Sequence, residues 1–468
     1  MTTVMRGAND LWGWSREHWD PTFGLVANPA GGYVELGPFA GKHLIRETAW
    51  FALDALAHGE TALAVRALTT VLGRQYHRPG RPWHGTFPIF EHDPEPGDGA
   101  IMWLSYDPNW RQFVGVALAL IVEQHGERLP DEMVRACVAA TERCVEGEPP
   151  GRIAASYTNP ALMHAWLADW VGRRTGQPSL SSRGQALAAE VMALFDLTGT
   201  VSEFNSPTYD GVNLMAATLW ATAGEPLGGW GRRLIDALFD SLGFLYHPGL
   251  HNLCGPYTRA YGMDLGSRIT LYGLWRLVAG ADRSCLPPLR GTVEHSHDLF
   301  FAPLVEWAVG HSPRPFPADD LGFPRRRSFP LSGGRTAHAS LSRDLMIGAE
   351  KGGREGLLWN QYVPGSLHWP GGPGLKWLRV HAELSCPVDC TLEGDNTLIV
   401  VPAAGASTAV VITTNAPAVP SGAGGLRVGD RVSVNAPEGV EVREVDGGRR
   451  ITAAAGNEPI VIRVDDER

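Results

Sequence analysis

The chain has 468 residues, 44% of them hydrophobic, and its formal net charge is −10. A chain of this length and composition can bury a large core and is expected to form two globular domains. Lysine and arginine are scattered singly, so the sequence shows neither the basic stripe of a nucleic-acid-binding protein nor a polybasic membrane patch, and we expect neither partner.

The first residues do not show a charged segment followed by an apolar one, and no apolar run reaches the roughly 18 residues of a spanning helix. We therefore expect a cytoplasmic protein. The six cysteines do not predict a disulfide framework in so long a chain, and Cys137 and Cys144 are expected to be buried on one helix. No Gly-rich phosphate or dinucleotide loop is found, so no cofactor is expected.

The N-terminal part of the chain carries the apolar period of amphipathic helices. Leu162, Trp166 and Trp170 recur every four residues, with the polar Asp169 between them. The predicted helices span about 44–58, 61–75, 110–125, 130–146, 159–173, 184–197, 210–223, 229–245, 263–280 and 298–309. Short links alternate with longer loops, which is typical of stacked helical hairpins whose long loops gather on one face.

Two Gly/Pro-rich turns, each just before a helical pattern, are crowded with polar side chains. They read Glu203-Phe-Asn205-Ser-Pro-Thr-Tyr209 and His251-Asn-Leu-Cys-Gly-Pro-Tyr257-Thr-Arg259-Ala-Tyr261-Gly-Met-Asp264. Function is often carried by polar loops on a regular scaffold, so we predict that the two turns are walls of one site. The loops 83–110 and 156–160 are expected to converge on the same cleft.

After about residue 335 the hydrophobic period becomes two. Apolar runs such as 397–402 and 460–464 are separated by Gly, Pro, Asn and Asp clusters, which predicts an antiparallel β-sandwich. Residues 311–334 are rich in Pro and Gly and are predicted to be a linker. The fold class is therefore α+β multidomain, with a helical domain over 1–310 and a sandwich over 335–468.

A helical toroid followed by a β-sandwich resembles a group of carbohydrate-active enzymes, especially the heparinase II/III-like and related polysaccharide lyases. Besides the two polar turns, the residues that carry the resemblance are the hairpin from Arg46-Glu-Thr-Ala-Trp50 through Val71, the loop Trp83-His84-Gly-Thr-Phe-Pro, and the turn Tyr157-Thr-Asn159-Pro. The resemblance implies an (α/α) toroid as catalytic domain and cleavage of a 4-O-linked uronate by β-elimination.

That reaction needs groups that bind the uronate carboxylate and groups that move the C5 proton. By resemblance, the amides of Asn205 and Asn159 would bind the carboxylate, and His251 or His84 would assist or act as base. Tyr257 or Tyr261 would shuttle the proton. Arg259 would hold the substrate or favour the ionised tyrosine.

Aromatic side chains favour a sugar substrate, because indole faces stack on sugar rings and the chain has 16 Trp. The sandwich loop with Trp359 and Trp369 is expected to contribute to the same cleft. The predicted substrate-binding residues are His84, Glu91, Asn159, Tyr209, Asp264, Trp83 and Trp110.

Each candidate also has a structural interpretation. Asn205 could cap the following helix, Tyr209 could pack in the core, and one of Tyr257 and Tyr261 could be structural. Arg259 could form a bridge with Asp264.

A glycoside hydrolase on the same scaffold is the alternative function, with Glu203 as the best acid or base. Other candidate carboxylates are Glu91, Asp93, Asp107, Asp210 and Asp264. A small-molecule cyclase or isomerase and a non-catalytic glycan-binding protein are further possibilities. The segment Glu294-His295-Ser-His297-Asp298 offers metal ligands but is interpreted as surface decoration, so no metal is predicted.

Overall fold

The computed structural model of the protein describes residues 8–33, 42–289, 292–312, 314, 316, 322–352, 361–372, 374–381, 387–402, 409–422, 425–437, 439–453 and 458–465. The chain divides into two compact units, each made of several segments. The helical unit comprises residues 1–194, 211–235 and 267–315, and the β unit comprises residues 195–210, 236–266 and 316–468. The domain boundaries predicted at 310 and 334 follow the order of elements along the chain and stay a prediction.

The described residues contain eleven α-helices, and ten of them match the predicted helical segments. Their bounds are α1 (Ala8–Glu17), α2 (Ile45–Ala57), α3 (Thr61–Leu72), α4 (Trp110–His125), α5 (Asp131–Glu146), α6 (Thr158–Thr175), α7 (Pro178–Thr198), α8 (Asp210–Ala221), α9 (Leu227–Leu245), α10 (Leu271–Val278) and α11 (Ala302–His311). The short α1 is the helix that the sequence analysis missed.

Helices buried on all sides alternate along the chain with helices buried on one face. α2, α4 and α6 are buried over nearly their whole length, whereas α3 and α5 bury a single stripe. A helix that is apolar all round belongs inside, and an amphipathic one belongs outside. The hairpins therefore form an inner and an outer layer.

The inner helices follow one another around a ring. α2 packs on α4 and α4 on α6. Trp220 of α8 donates through Nε1 to the Leu162 carbonyl of α6 at 2.8 Å, and a Cβ at Gly211 of α8 would lie 2.2 Å from the Leu271 carbonyl oxygen of α10. α11 packs against both α10 and α2, which closes the ring. The predicted (α/α) toroid is thus confirmed.

Helix α10 begins later than the predicted segment 263–280. Thr270 has extended backbone angles, and its hydroxyl accepts a hydrogen bond from the Gly273 N–H at 3.1 Å, which caps the helix. The preceding residues belong instead to the second polar turn. The helical unit also holds the short antiparallel strands β1 (Trp19–Asp20), β2 (Leu25–Ala27) and β3 (His43–Leu44), and the β unit holds the pair β4 (Tyr246–His247) and β5 (Asn252–Leu253).

The later strands form two antiparallel sheets. They are β6 (Arg325–Leu331), β7 (Arg335–Leu341), β8 (Met346–Lys351), β9 (Gly365–Pro370), β10 (Leu375–His381), β11 (Val388–Glu393), β12 (Thr397–Pro402), β13 (Val410–Thr414), β14 (Ala418–Pro420), β15 (Gly425–Val428), β16 (Val432–Asn435), β17 (Val440–Val445), β18 (Gly448–Ala453) and β19 (Ile460–Val464). The sheet orders are β17-β18-β13-β10-β9-β8-β7-β6 and β11-β12-β19-β16-β15-β14.

Side chains from both sheets share one apolar core, which confirms the predicted β-sandwich. Leu367 and Val380 from the eight-stranded sheet belong to the same buried cluster as Leu398 and Ile462 from the six-stranded sheet. This is the packing expected when every second residue of a strand faces the partner sheet.

Strand β6 lies inside the segment predicted to be a linker. It forms the edge of the eight-stranded sheet and pairs on one side only, with β7. Its three arginines and Pro330 suit an edge strand, because charged side chains and proline discourage pairing with another chain. The same residues hide the strand from a search for alternating apolar residues.

Two further expectations concern cysteines and membrane spans. Cys137 and Cys144 are both buried on α5, as predicted, and none of the five cysteines among the described residues forms a disulfide; Cys386 lies outside the described residues. Within the described ranges, none of the helices combines the length and the apolar character that crossing a membrane requires.

Candidate active site

A chain of polar side chains in the β unit joins the two predicted turns. Arg259 donates through Nη1 to Oε1 of Glu203 at 3.1 Å and through Nε to Oε1 of Gln361 at 2.8 Å. Its guanidinium carbon lies 4.0 Å from the centroid of the Tyr209 ring. The Tyr209 hydroxyl in turn lies 3.2 Å from the hydroxyl of Tyr261. We call these five residues the tyrosine–arginine cluster.

Main-chain hydrogen bonds hold the second turn in place. The Thr258 N–H donates to the Phe204 carbonyl at 3.2 Å, and the Ala260 N–H donates to the Gln361 carbonyl at 2.8 Å. The segment 257–261 therefore runs between the first turn and the start of the sandwich segment. The segment is not helical, so Arg259 and Tyr261 are not placed by a shared helix face.

Asn205 ties the two turns together. Its backbone is left-handed, with φ of 50°, and its Nδ2 donates to the carbonyls of Cys254 and Pro256, both at 2.7 Å. Both amide hydrogens are thus used within the protein, while Oδ1 is buried and has no hydrogen-bond partner among the described residues. A left-handed backbone at a non-glycine residue is uncommon and is tolerated where the surroundings fix it.

The ion pair of the cluster is buried, whereas its two tyrosines are partly exposed. The side chains of Glu203 and Arg259 are 3% and 7% exposed, so the ion pair is largely removed from water. Tyr209 and Tyr261 have intermediate exposure. A guanidinium on a tyrosine face is attracted by the ring quadrupole, and this contact strengthens when water is excluded. The tyrosines are therefore the members of the cluster that a ligand could contact.

Tyr257 lies in the core. It is 1% exposed, and its hydroxyl donates to the Leu253 carbonyl. Burial raises the pKa of Tyr257 well above its ordinary value, with Cys254 and Asp264 adding to the effect. Of the two candidate tyrosines in the second turn, Tyr261 is therefore the one whose hydroxyl contacts the cluster.

The remaining residues of the second turn do not belong to the cluster. His251 is exposed and has a left-handed backbone with φ of 48°. Asp264 accepts a hydrogen bond from the Gly266 N–H at 2.8 Å, and burial raises the pKa of its carboxyl group. Arg259 forms an ion pair with Glu203, and the bridge suggested between Arg259 and Asp264 stays a prediction.

The predicted aromatic residues of the helical unit are largely buried. Trp83 packs with Tyr76 and Tyr106 in a small apolar cluster. Trp110 opens α4, and the Arg46 guanidinium carbon lies 4.3 Å from its ring centroid. In the β unit, Trp369 is fully buried in the sandwich core, and Trp359 lies outside the described residues.

The predicted polar residues of the helical unit make contacts within that unit. His84 Nδ1 accepts from the Arg78 N–H at 3.1 Å, and burial, followed by His77 and Arg111, lowers the pKa of His84. Glu91 accepts from the His43 N–H at 2.8 Å, and Asn159 is buried in the first turn of α6. The structure thus brings together the turns 203–210 and 251–264 in one unit. The convergence of 83–110 and 156–160 on the same cleft stays a prediction.

Two features differ from the sequence analysis. Gln361 belongs to the cluster. It lies in the sandwich loop that was expected to contribute, but no local pattern marks it among the residues of that loop. The segment His295–Asp298, interpreted above as surface decoration, is buried in the helical unit. The signal that could have revealed it is the apolar run Leu299-Phe-Phe-Ala that follows, because a polar segment next to a buried helix start is often buried with it.

Comparisons with known proteins give a family and several solved structures. The family model described as "Domain of unknown function (DUF8769)" matches residues 12–309. No curated protein matches the chain. Among solved structures, the chondroitin AC lyase of Streptomyces coelicolor A3 in complex with chondroitin sulphate is similar, with 13% identity, a TM-score of 0.47, and coverage of 98% of this chain and 79% of that chain.

Two further solved structures are similar to this chain, with different coverage of the two chains in each case. The endoglucanase Cel10 of Klebsiella pneumoniae, a family 8 glycosyl hydrolase, shows 12% identity and a TM-score of 0.36, covering 65% of this chain and 99% of that chain. The heparan sulfate lyase HepC of Pedobacter heparinus shows 12% identity and a TM-score of 0.27, covering 89% and 91%. At such values function has to be inferred from this chain's own side chains.

Proposed function

The chain belongs to the DUF8769 family, and we propose that it is a carbohydrate-active lyase that cleaves a uronate-containing oligo- or polysaccharide by β-elimination. The observation that carries this proposal is the run of contacts from Glu203 through Arg259 and Tyr209 to the Tyr261 hydroxyl. These contacts support proton transfer by a tyrosine, and β-elimination at a uronate requires a group that removes the C5 proton.

In the proposed reaction the ionised oxygen of Tyr261 removes the C5 proton of the uronate. The electron pair of the C5–H bond becomes the C4=C5 double bond, and the C4–O bond breaks. The leaving oxygen takes a proton from the Tyr261 hydroxyl, which restores the ionised tyrosine. The two hydroxyl oxygens lie 3.2 Å apart, so in this proposal Tyr209 donates to the ionised Tyr261 oxygen, and Arg259 on the face of the Tyr209 ring supplies positive charge.

Three further residues have different roles in this proposal. Asn205 fixes the turn that carries Tyr209, because both of its amide hydrogens are donated to main-chain carbonyls. Asn159 remains the predicted ligand of the substrate carboxylate. Gln361 orients Arg259 through its Nε.

The contacts of Glu203 favour the lyase over the hydrolase. A hydrolase acid or base must reach the glycosidic oxygen or a water beside it. Oε1 of Glu203 accepts a hydrogen bond from Arg259, and the side chain is only 3% exposed. A carboxylate held in this way is suited to fixing the position of Arg259 and is not suited to exchanging a proton with a substrate.

The direct test is to incubate the purified protein with a panel of acidic polysaccharides and their oligomers, with a neutral glucan as control. The proposal predicts products with the ultraviolet absorbance of a C4=C5 unsaturated uronate, together with new reducing ends. New reducing ends without that absorbance would indicate a hydrolase. Binding without any product would indicate a glycan-binding protein.

A further inference from the structure

A second group of chemically active side chains lies in the helical unit and shares no residue with the tyrosine–arginine cluster. It consists of His295, His297 and Asp298, whose ligand atoms all lie within 4.8 Å of one another. We propose that these three side chains bind one divalent metal ion of the zinc class. The proposal does not depend on the lyase activity.

The spacing of the three side chains suits a metal. His297 Nε2 lies 3.4 Å from Asp298 Oδ1, and His295 Nδ1 lies 3.8 Å from Asp298 Oδ2. Two ligand atoms that each lie about 2.0–2.2 Å from a tetrahedral zinc ion are roughly 3.3–3.5 Å apart. Small side-chain shifts would therefore bring all three ligands to bonding distance.

The local backbone explains why the two imidazoles meet. His295 has a left-handed backbone, with φ of 60° and ψ of 23°, directly before the 3-10 turn Ser296–Phe301. This sharp change of direction places the rings of His295 and His297 with their centroids 5.5 Å apart. The ring of Tyr33 stacks on His297 at 3.9 Å and fixes its plane. Strained backbone of this kind is typical of sites that hold a ligand.

The His297 side chain has a ring nitrogen that a metal could use. The side chain is 4% exposed. Its Nδ1 is buried and has no hydrogen-bond partner among the described residues. A half-turn of the ring exchanges the two nitrogens without changing the space that it fills. Either nitrogen can therefore serve as the ligand.

The charges around the site leave room for a cation. Arg46 donates to Oε1 of Glu47 through Nε at 3.0 Å and through Nη2 at 2.6 Å, and the same Nη2 lies 3.9 Å from Asp298 Oδ1. The positive charge of Arg46 is therefore paired mainly with Glu47. Since the guanidinium and the two carboxylates sum to one negative charge, a bound cation would be favoured.

The ligand set indicates which metals would bind. Two imidazole nitrogens and one carboxylate suit zinc and related transition ions better than Ca²⁺ or Mg²⁺, which prefer oxygen ligands alone. Three protein ligands would leave a coordination position for water or a further ligand.

The test uses protein without a histidine tag, treated with a chelator and dialysed. ZnCl₂ is then titrated by calorimetry, and bound zinc is measured by mass spectrometry. We expect about one zinc ion per chain and a rise in melting temperature on zinc addition. His295→Gln, His297→Gln and Asp298→Asn should each weaken zinc binding at least tenfold. His311→Gln, a change at an exposed histidine of the same unit, should bind zinc like the unchanged protein.

Two results would overturn the proposal. One is the absence of stoichiometric zinc in the unchanged protein after ZnCl₂ addition. The other is zinc binding that persists in all three variants at the affinity of the unchanged protein. Circular dichroism shows whether each variant is folded. If none of them folds, the stoichiometry and the zinc-dependent melting temperature of the unchanged protein decide.

Discussion

Arg259 and Glu203 form a buried ion pair, with Nη1 of the arginine 3.1 Å from Oε1 of the glutamate. The transfer of two charges out of water costs about as much as their attraction returns, so such a pair adds little net stability by itself. The ion pair instead fixes the position of the Arg259 side chain. Arg259 is held where its guanidinium lies on the Tyr209 ring, 4.0 Å from the centroid.

The first prediction concerns this pair. Glu203→Gln keeps the shape of the side chain but leaves the buried Arg259 charge uncompensated, so we expect a loss of about 2–4 kcal/mol in the free energy of unfolding. The control is Glu225→Gln, which removes the partner of Arg232 on the surface and should cost less than about 1 kcal/mol. Urea denaturation measures both. A Glu203→Gln protein as stable as the unchanged one would show that the pair does not hold Arg259.

The second prediction concerns Gly348, where β8 passes close to the second turn. A Cβ at this position would lie 2.0 Å from the carbonyl carbon of Gly255, between the two carbonyls that Asn205 binds. Gly348→Ala should therefore displace the turn and cost about 1–3 kcal/mol or more. At Gly310 in α11 nothing lies within 4 Å of an added Cβ, so Gly310→Ala should be neutral or slightly stabilising. Thermal unfolding of the two variants, followed by circular dichroism, tests the contrast, and equal melting temperatures would contradict it.

The third prediction is a fall in stability with rising pH, caused by two buried carboxyl groups of the helical unit. Burial raises the pKa of Asp54 to about 7. Burial, with Asp54 adding to it and His58 opposing it, raises the pKa of Glu306 to about 7. His58 Nδ1 lies 3.1 Å from Asp54 Oδ1 and donates to the Asp54 carbonyl at 3.0 Å.

The sign follows from proton binding. Between about pH 4 and pH 7 the folded state keeps protons on these carboxyl groups that the unfolded chain releases, so the free energy of unfolding falls as the pH rises. The slope should reach about 1–2 kcal/mol per pH unit and level off above pH 7. Asp54→Asn should flatten it, whereas Glu132→Gln, at an exposed position, should not. Urea denaturation from pH 4 to pH 8 is the measurement, and a slope unchanged by Asp54→Asn would contradict the assignment.

Periodicity predicted the scaffold because burial of one face dictates it. Helix α4 begins and ends at the predicted residues 110 and 125, where an apolar segment is bounded by a polar turn and a glycine. Local pattern could not predict which segments join the β unit. The turn 251–264 is placed by pairing of Tyr257 with Val363, more than a hundred residues away, and nothing near Tyr257 signals that pairing.

The candidate site was predicted in composition but not in roles. Sequence spacing left Tyr257 and Tyr261 equivalent, and only the tertiary structure separates a buried hydroxyl from one in the cluster. Glu203 was suggested as an acid or base because it precedes the polar residues of the first turn, and only the structure shows that it accepts a hydrogen bond from Arg259.

The fourth prediction follows from the burial of Tyr257. Tyr257→Phe removes a hydroxyl that donates to the Leu253 carbonyl and leaves the ring in place, so we expect a loss of about 0.5–1.5 kcal/mol in the free energy of unfolding. Turnover of any substrate should be retained. A folded Tyr257→Phe protein without activity would instead assign the proton transfer to this residue.

The most direct test of the central claim is the rate at which folded Tyr261→Phe protein forms unsaturated product from an acidic polysaccharide that the unchanged protein cleaves. The substitution keeps the ring and removes the hydroxyl 3.2 Å from Tyr209. Loss of the proton-transfer group should lower the rate by about a hundredfold or more, while Tyr257→Phe stays near the unchanged rate. Near-normal formation of unsaturated product by folded Tyr261→Phe would contradict the tyrosine mechanism.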